Sequence, residues 1–388
     1  MNRKWSVLAV AALLAPTGCT SDLPSAGPTP AGQSTTKSEF FDQTEYDRQL
    51  KFRTAKPVGP DDKPWEQMLD PELVDTAKYA KPGGKHHLCF SNAAVNNPWR
   101  QVGWKTMQQE VKLRPEITKF TVLDAEGKDD KQISDLQSLA GRGCSALIVS
   151  PNTTATLTPA VEAACATGVP VIVFDRGVQT KCPVTYIHPI GGFAFGADGA
   201  EFLKDKVPAG GKVLALRILP GVDVLEQRWA AADKIFAGSG VKVVGVEFTG
   251  GDAAKTKSIV SDYLQREGKI DGVWMDAGAT AVAAVEAFQD AGVPVPPFVG
   301  EDQQDFLRTW AADKLTAVAP TYPTYQWRTP VIAALRILEG KQVPKEWVLP
   351  QPKITQDRVQ DYVEQDMPPL HYAMCGCESM PGYPGPWR

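Results

Sequence analysis

The feature that most limits how this chain can fold is an alternation of short apolar runs with stretches of helical periodicity, which begins at Lys85. The first apolar runs are "HHLCFSNA", "ITKFTVLDA", "SALIVSP" and "PVIVFDRG". After the connection "YIHPIGG" a second set follows, with "GKVLALRI", "VKVVGVEF", "DGVWMDA", "PPFVGED" and "TAVAPTY". Short apolar runs between helical segments are typical of βαβ units around a buried parallel sheet. The sequence therefore predicts an α/β protein with two Rossmann-like lobes, each built on a parallel sheet.

The length and charge of the chain agree with this prediction and exclude one class of partner. A chain of 388 residues, 43% of them hydrophobic, is long enough for two domains. Its net charge of -4 argues against a nucleic-acid or anionic-membrane surface, because either would favour a basic face. We therefore expect no nucleic-acid partner.

Residues 1–19 are predicted to be an export signal rather than part of the fold. Arg3 and Lys4 form a positive start, and the apolar run "WSVLAVAALLA" is shorter than the ~20 residues that a transmembrane helix requires. The following "PTGC" resembles a bacterial lipobox ending at Cys19, although Pro16 stands where that motif usually has an aliphatic residue. We expect Cys19 to carry a lipid anchor on the outer face of the cell membrane, with a soluble secreted form as the alternative.

Three further segments lie outside the alternating pattern. Residues 20–38 are small, polar and rich in proline, a composition that predicts a flexible tether. Residues 39–82 form an N-terminal extension that is charged, aromatic and broken by prolines, and the sequence assigns them no role. The tail at residues 366–388 contains prolines and two cysteines. We expect it to be an extended segment that is stapled to the body and packs against residues 39–82.

Six cysteines remain besides Cys19, and in an exported chain an even number favours disulfides over metal or redox sites. Cys165 and Cys182 are the closest pair that brackets one strand, so we predict a bridge between them. Cys375 and Cys377 are separated by one residue, and we expect this spacing to be too tight for a bridge between the two. With only four histidines in the chain we predict no metal site.

Polar and charged residues follow several of the predicted strands. The sets are "NNPW", "SPNT", "DRG", "DAGAT" and "EDQQ". Ligands of open α/β sheets bind at the carboxyl ends of the strands. Two lobes that face each other through such loops form a cleft that closes on a small molecule. The pattern therefore predicts a ligand site between the lobes.

Taken together, the segments "NNPW", "SLAGRGCSALIVSPN", "GVPVIVFDRG", "EQRW" and "FVGED" resemble, in order and spacing, the ribose- and galactose-type periplasmic sugar-binding proteins. The resemblance covers roughly residues 85–350. It implies two lobes that are joined by a three-strand hinge, close on a monosaccharide and deliver it to an ABC importer. On this basis we predict an N-terminal lobe of residues 83–188 plus 322–348 and a C-terminal lobe of residues 189–321 plus 349–365.

The segment "NNPWR" has two interpretations. Asn97 fits the N-cap of a helix that begins at Pro98, and Trp99 then packs in the core. Alternatively both side chains also face the cleft, where an indole covers the apolar face of a sugar and an amide bonds its polar rim. The resemblance implies that Trp99 stacks on the sugar and that Asn97 hydrogen-bonds it. Arg100 stands where ribose-type members have a second aromatic residue, and it either adds a donor or points to solvent.

Three charged residues are predicted to bond hydroxyl groups. Asp175 and Arg176 follow the apolar run "PVIVF" and form either a solvated ion pair or the grip on a sugar diol that the family's Asp-Arg pair implies. Arg228 in "EQRW" matches a further sugar-binding arginine of the family. The alternative interpretation is that Arg228 is a charged residue on the surface of a helix.

Departures from the family's pattern affect the remaining candidates. The resemblance implies that Asp302 in "FVGED" accepts a hydroxyl, with Glu301 replacing an apolar residue beside it. Asp276 is the candidate that replaces an asparagine of the family. Where the family has a binding glutamine near the hinge, we expect Thr321 or Tyr322 instead. These changes place the usual sugar specificities in question.

An enzyme is not expected. Carboxylates beside arginines are held ionised and make poor general acids, and the chain lacks a nucleophile elbow, a P-loop and a zincin motif. A lacI-like regulator would begin with a helix-turn-helix rather than an export signal. We therefore predict a monomeric, exported, lipid-anchored solute-binding protein that captures a monosaccharide or sugar alcohol for the membrane permease of an ABC importer, without a cofactor. A surface sugar sensor of the same fold is the alternative, and a non-sugar polar ligand is another.

Overall fold

The computed structural model describes residues 40–388. The predicted signal peptide, the predicted lipid attachment at Cys19 and the predicted tether at residues 20–38 lie outside these described residues. Within residues 40–388, no helix is both long enough and apolar enough to span a membrane.

The described chain alternates strands and helices from His86 onward. The helices are α1 Gln43–Phe52, α2 Pro98–Lys112, α3 Asp129–Ala140, α4 Thr154–Ala166, α5 Gly192–Lys206, α6 Asp223–Ala237, α7 Ala253–Glu267, α8 Ala281–Asp290, α9 Gln304–Asp313 and α10 Thr329–Leu338. The strands are β1 Leu73–Val74, β2 His86–Asn92, β3 Ile117–Asp124, β4 Ala146–Ser150, β5 Val171–Phe174, β6 Thr185–Pro189, β7 Lys212–Arg217, β8 Lys242–Phe248, β9 Gly272–Met275, β10 Phe298–Val299, β11 Ala317–Pro320, β12 Val343–Pro344, β13 Glu346–Leu349 and β14 Lys353–Ile354.

The first large sheet has the strand order β13-β6-β5-β4-β2-β3, and all its pairings are parallel. Helices cover both faces, as a buried parallel sheet requires. Successive strand residues point to opposite faces. Leu88, Phe90, Ile148, Ile172 and Phe174 therefore pack on the side of α10, whereas Cys89, Leu147, Val149, Val171 and Val173 pack against α3 and α4.

The second large sheet has the order β14-β11-β10-β9-β7-β8. Its pairings are parallel except that β14 runs antiparallel to β11. The chain enters β14 directly from the first sheet. It therefore enters at the edge where the parallel strands of the second sheet end, and β14 runs in the opposite direction to them. The two-lobed α/β fold predicted from the sequence is confirmed, with the correction that the second sheet is mixed rather than wholly parallel.

Three segments of the described chain connect the two large sheets, and hydrogen bonds hold them side by side. They follow β6, β11 and β13. Gln351 accepts from the backbone N–H of Gly191 at 2.8 Å and donates to its carbonyl at 3.2 Å. Thr321 donates to the carbonyl of Pro352. Three neighbouring crossings of this kind form the geometry of a hinge.

The N-terminal extension contacts both large lobes, a role that its sequence did not predict. Helix α1 packs on α5 beside the second sheet, and Arg53 forms an ion pair with Asp198 at 2.8 Å. Further along, the backbone N–H of Leu69 donates to the carbonyl of Val348 in the first sheet. The extension therefore spans the connection between the lobes.

The described residues contain three disulfides, which join Cys89 to Cys144, Cys165 to Cys182 and Cys375 to Cys377. The Cys165–Cys182 bridge is the one that the sequence predicts. The expectation that Cys375 and Cys377 would not bridge each other is wrong. Gly376 between them has a φ of 59°, a left-handed conformation that glycine adopts without strain. The Cα atoms of the two cysteines then lie 5.1 Å apart, within the range that disulfides require.

Candidate ligand-binding cleft

Helix α2 begins at the edge of the first sheet and holds its first turn in a fixed position. Asn97 is its N-cap, with an extended backbone and a side-chain oxygen that accepts from the N–H of Arg100 at 3.0 Å. Pro98 occupies the first turn, where its missing N–H costs nothing. The indole N–H of Trp99 donates to the carbonyl of Tyr322 at 2.7 Å. These bonds orient the half-buried Trp99 ring toward the space between the lobes.

One cavity of about 140 Å³ lies between the two large sheets. It is lined by Asn97, Pro98, Trp99, Arg100, Asp175 and Arg176 from the first lobe, by Ile218, Leu219, Val222, Val224, Leu225, Arg228, Ala277, Ala279 and Glu301 from the second, and by Tyr322 and Tyr372. Most of these residues follow the carboxyl ends of parallel strands, where the sequence places the ligand site. A cavity of similar volume in another protein holds one benzene molecule, so the space suits a single small ring rather than a chain of sugars.

Six of the nine predicted site residues share this cavity. They are Asn97, Trp99, Arg100, Asp175, Arg176 and Arg228. For Asn97 both interpretations of the sequence hold at once, since the side chain caps α2 and also lines the cavity. Whether these residues bind a ligand stays a prediction.

Arg100 and Asp175 form a buried ion pair at the base of the cavity. The Arg100 guanidinium donates to Asp175 at 2.7 Å and to the hydroxyl of Ser150 at 3.2 Å. Burial lowers the pKa of Arg100, while Asp175 opposes that shift. Asp175 has a φ of 69°, in the left-handed region that Asp and Asn tolerate best among non-glycine residues. Arg100 thus points inward rather than to solvent.

Arg176 and Arg228 bring two further guanidinium groups to the cavity from opposite lobes. Arg176 donates to the carbonyl of Asn152. Arg228 lies 3.8 Å over the ring of Phe195 and 3.8 Å from a Glu301 carboxylate oxygen. Its Nε is buried without a hydrogen-bond partner among the described residues.

Glu301 is the carboxylate that the second lobe supplies to the cavity, and the sequence did not select it. One of its oxygens accepts from the N–H of Gly278 at 3.1 Å and from the amide of Gln303 at 3.3 Å. Burial raises the pKa of Glu301, and Arg228 opposes this rise. Glu301 directly precedes Asp302, the acid that the resemblance implied.

Asp302 does not line the cavity, in contrast to its predicted role. Its side chain accepts from the N–H of Met374 at 2.7 Å, and its carbonyl accepts from the N–H of Ala373 at 2.9 Å. Asp302 therefore faces the C-terminal tail rather than the cavity. Burial, followed by the nearby Glu301, raises the pKa of Asp302 to about 7.

Asp276 and Thr321 also face away from the cavity. The carboxylate of Asp276 accepts from the N–H of Ile218 at 2.8 Å and lies 3.6 Å from the Arg217 guanidinium. Burial raises the pKa of Asp276 to about 7, although Arg228 and Arg217 oppose the rise. The hydroxyl of Thr321 donates to the carbonyl of Pro352 in the neighbouring crossing segment. Its predicted alternative, Tyr322, is the residue of that pair that lines the cavity.

Among residues 40–388, two groups of side chains have the composition of a metal site. They are His87 with Cys89 and Cys144, and His371 with Cys375 and Cys377. In both groups the two sulfurs belong to a disulfide, and a thiolate is the form that binds a metal. None of these six residues lines the cavity.

The buried Asp302 gives a prediction on the pH dependence of stability. Its pKa of about 7 in the folded protein exceeds the ordinary value of 3.8, so the folded state binds more protons than the unfolded state between these pH values. Asp302 therefore makes the free energy of unfolding fall as the pH rises from 4 to 7, by up to about 1.4 kcal/mol per pH unit. We expect Asp302→Asn to remove this part of the slope in urea denaturation at successive pH values.

The exposed Asp130 provides the matched control for that measurement. Asp130→Asn removes the same carboxylate from a surface position and should follow the wild-type curve at every pH. An Asp302→Asn curve that runs parallel to the wild-type curve from pH 4 to 7 would contradict the prediction.

Comparisons with known proteins agree with the fold. Residues 88–342 match the profile of the periplasmic binding protein domain family. The ribose import binding protein of Bacillus subtilis is 28% identical over 277 residues, which cover 70% of this chain and 90% of that protein.

Two solved structures have a similar fold. An ABC transporter solute-binding protein from Thermobispora bispora has 24% sequence identity and a TM-score of 0.66, over 74% of this chain and 90% of that one. A solute-binding protein from Bacillus halodurans with bound myo-inositol has 18% identity and a TM-score of 0.66, over 73% of this chain and 99% of that one.

Proposed function

We propose a function that rests on the family of this chain, which belongs to the periplasmic binding protein domain family. It is the extracytoplasmic solute-binding protein of an ABC importer and captures one monosaccharide or sugar alcohol. The observation that carries the proposal is the cavity that three aromatic rings, three guanidinium groups and two carboxylates line from both lobes. The ribose import function of the Bacillus subtilis relative and the myo-inositol bound to the Bacillus halodurans protein support a hydroxyl-rich ligand.

The chemistry of the cavity suits a polyhydroxylated ring. The Trp99 indole offers an apolar face to the C–H groups of a sugar. Asp175 and Glu301 supply oxygens that accept from hydroxyl groups, and Arg176 and Arg228 supply donors in a planar fork. The Asn97 amide nitrogen has one weak partner among the described residues, Asn96 at 3.5 Å, and is placed to donate as well.

We further propose that the ligand is enclosed by rotation of the lobes about the three crossing segments. The lobes are taken as residues 83–188 plus 322–348 and residues 189–321 plus 349–365. At the mouth of the cleft the hydroxyl of Thr154 donates to Asp223 of the opposite lobe at 2.8 Å, a bond that a closed form contains and an open form lacks.

The proposal involves binding without conversion of the ligand. The matched family and the Bacillus subtilis relative are described as binding proteins, which supports this part of the proposal. A monomer anchored through a lipid on Cys19 would then present the closed lobes to the membrane permease. Loss of sugar uptake in cells that carry Cys19→Ser, with unchanged binding by the purified protein, would test the anchor separately.

A ligand screen tests the proposed function directly. Thermal unfolding is followed with D-ribose, D-allose, L-arabinose, xylitol, myo-inositol and, as a size control, maltose. A ligand that binds only the folded state raises the Tm, so we expect at least one monosaccharide or polyol to raise it and maltose to leave it unchanged.

Variants on helix α2 then show where the ligand binds. Trp99→Leu should weaken binding at least about tenfold, because the ring that covers the sugar is removed. Trp104→Leu, on the same helix but outside the cavity, should retain the affinity. A screen in which no compound shifts the Tm, or a shift that Trp99→Leu leaves intact, contradicts the proposal.

A further inference from the structure

The C-terminal tail, residues 366–388, lies beyond the region matched by the family and forms part of the wall of the cleft. Its backbone pairs with the second lobe beside Glu301. The N–H of Gln304 donates to the carbonyl of His371 at 2.9 Å, and the N–H of Ala373 donates to the carbonyl of Asp302 at 2.9 Å. Residues 371–373 are therefore held along the loop that carries the cavity carboxylate.

The same tail is also bonded to the first lobe and to a crossing segment. The indole N–H of Trp387 donates to the hydroxyl of Thr106 in α2 at 3.1 Å. The N–H of Tyr325 donates to the carbonyl of Met374 at 3.1 Å. The hydrogen bonds to the second lobe, to α2 and to Tyr325 hold residues 371–374 in one position. A fixed position is the condition for a precise contact with a ligand.

Tight packing against the N-terminal extension, which we expected for this tail, holds it as well. Gly376 is so close to the Trp65 ring that a Cβ added there would lie 2.5 Å from it. The Arg328 guanidinium lies 3.5 Å over the same ring and donates to the Gly376 carbonyl.

Tyr372 is the tail residue that lines the cavity, and its side chain is 3% exposed. The Gln303 amide nitrogen donates to its hydroxyl oxygen at 2.7 Å. That nitrogen also lies 3.3 Å from a carboxylate oxygen of Glu301, which fixes the amide with its N–H groups toward both partners. The Tyr372 oxygen is thus an acceptor from Gln303, and its own proton is free to be donated elsewhere.

The protonation state of Tyr372 agrees with a donor. Burial raises the pKa of Tyr372 far above 10, and the carboxylates of Glu301 and Asp302 add to the rise. The hydroxyl therefore keeps its proton at any physiological pH. A buried donor that lines a cavity requires an acceptor, and an oxygen of a bound molecule could provide one.

We propose that Tyr372 is a ligand-binding and specificity-determining residue that the C-terminal tail adds to the cleft, where its hydroxyl donates to one oxygen of the bound sugar or polyol. The inference rests on the proposed function. It also means that the binding site of this chain extends beyond the domain it shares with its family, and that selectivity depends on an oxygen located beside Glu301 and Arg228.

The test uses the full chain and the tightest binder among D-ribose, D-allose, L-arabinose, xylitol and myo-inositol, with the monodeoxy analogues of that compound. Calorimetric titration of Tyr372→Phe should show affinity for the parent compound reduced about fivefold to tenfold, the loss of one neutral hydrogen bond. One deoxy analogue, which lacks the oxygen facing Tyr372, should bind wild type and Tyr372→Phe equally well. Tyr383→Phe, a change in the same tail outside the cavity, should leave the affinity unchanged.

The outcomes separate the two proposals. If wild type binds a sugar or polyol and Tyr372→Phe binds the parent and every deoxy analogue with unchanged affinity, the role of Tyr372 is refuted while the proposed function stands. An equal loss for the parent and all analogues, together with a lower Tm of the ligand-free variant, refutes it too, since Tyr372 would then only hold the tail. If wild type binds none of the compounds, the proposed function fails and this inference fails with it.

Discussion

Replacing Gly196 with alanine is expected to destabilise the protein by about 3 kcal/mol or more and to remove ligand binding, because overpacking against rigid backbone lies at the high end of such effects. Gly196 lies in α5 where it meets α6. A Cβ added at this position would lie 1.9 Å from the carbonyl oxygen of Arg228. No side-chain rotation relieves a clash with backbone, so α6 would have to move.

The consequence for binding follows from the position of the clash. Gly192, one turn earlier in α5, would place a Cβ 2.4 Å from the carbonyl of Val224, so the two helices are in backbone contact over a full turn. That turn of α6 carries Val224, Leu225 and Arg228, which line the cavity. Displacement of α6 therefore moves the Arg228 guanidinium away from the position in which we propose that it meets a ligand oxygen.

Gly141→Ala is the control for this prediction. Gly141 follows α3, has a φ of -85° and would place its Cβ 3.8 Å from the nearest atom, so alanine fits there without strain. We expect this variant to keep the wild-type urea midpoint and ligand affinity. A Gly196→Ala protein with the wild-type midpoint and affinity would show that α5 and α6 have more room than the structure indicates.

The two-lobed fold could be predicted from the sequence because hydrophobic periodicity reports on local structure and on burial together. Strands such as β4 and β5, buried on both faces, appear as continuous apolar runs, and the helices between them have their own period. Strand β14 could not be predicted in the same way. It has two residues, and its direction depends on the route of the chain between the lobes rather than on its own side chains.

The first lobe's side of the cleft was also predictable, because its residues are placed by local rules. Asn97 caps α2, and this cap determines the positions of Trp99 and Arg100 that follow it. Asp175 and Arg176 come directly after β5, so their location follows from the end of a strand.

The second lobe's side was less predictable because the relevant interactions are distant in sequence. Glu301 and Asp302 are adjacent acids, and nothing local decides which of them lines the cavity. The N–H of Met374 donates to the Asp302 carboxylate, and Met374 belongs to a tail that no sequence motif connects with the cleft. Tyr372 had no sequence signal for the same reason. A residue brought to a site by a terminal segment is found only when the fold is known.

Removal of the Asp175 charge should have the other large effect. Asp175→Asn keeps the shape of the side chain and tolerates the φ of 69°, but it leaves Arg100 buried without a carboxylate, since its other polar partner is the neutral Ser150. Breaking a buried ion pair from one side costs about 3 to 5 kcal/mol. We expect the free energy of unfolding to fall by that amount and ligand affinity to be lost, as Asp175 is also a proposed hydroxyl acceptor.

A double variant separates the two consequences for Asp175. Arg100→Met/Asp175→Asn removes both charges, and replacing both partners of a buried pair is often nearly neutral. It should therefore regain most of the lost stability in urea denaturation, whereas ligand binding should stay impaired, because the amide offers one acceptor oxygen where the carboxylate offered two. Asp361→Asn, which breaks an exposed pair with Arg358, serves as the surface control and should match wild type in both measurements. If the double variant binds the ligand as tightly as wild type, Asp175 stabilises the cleft without touching the sugar.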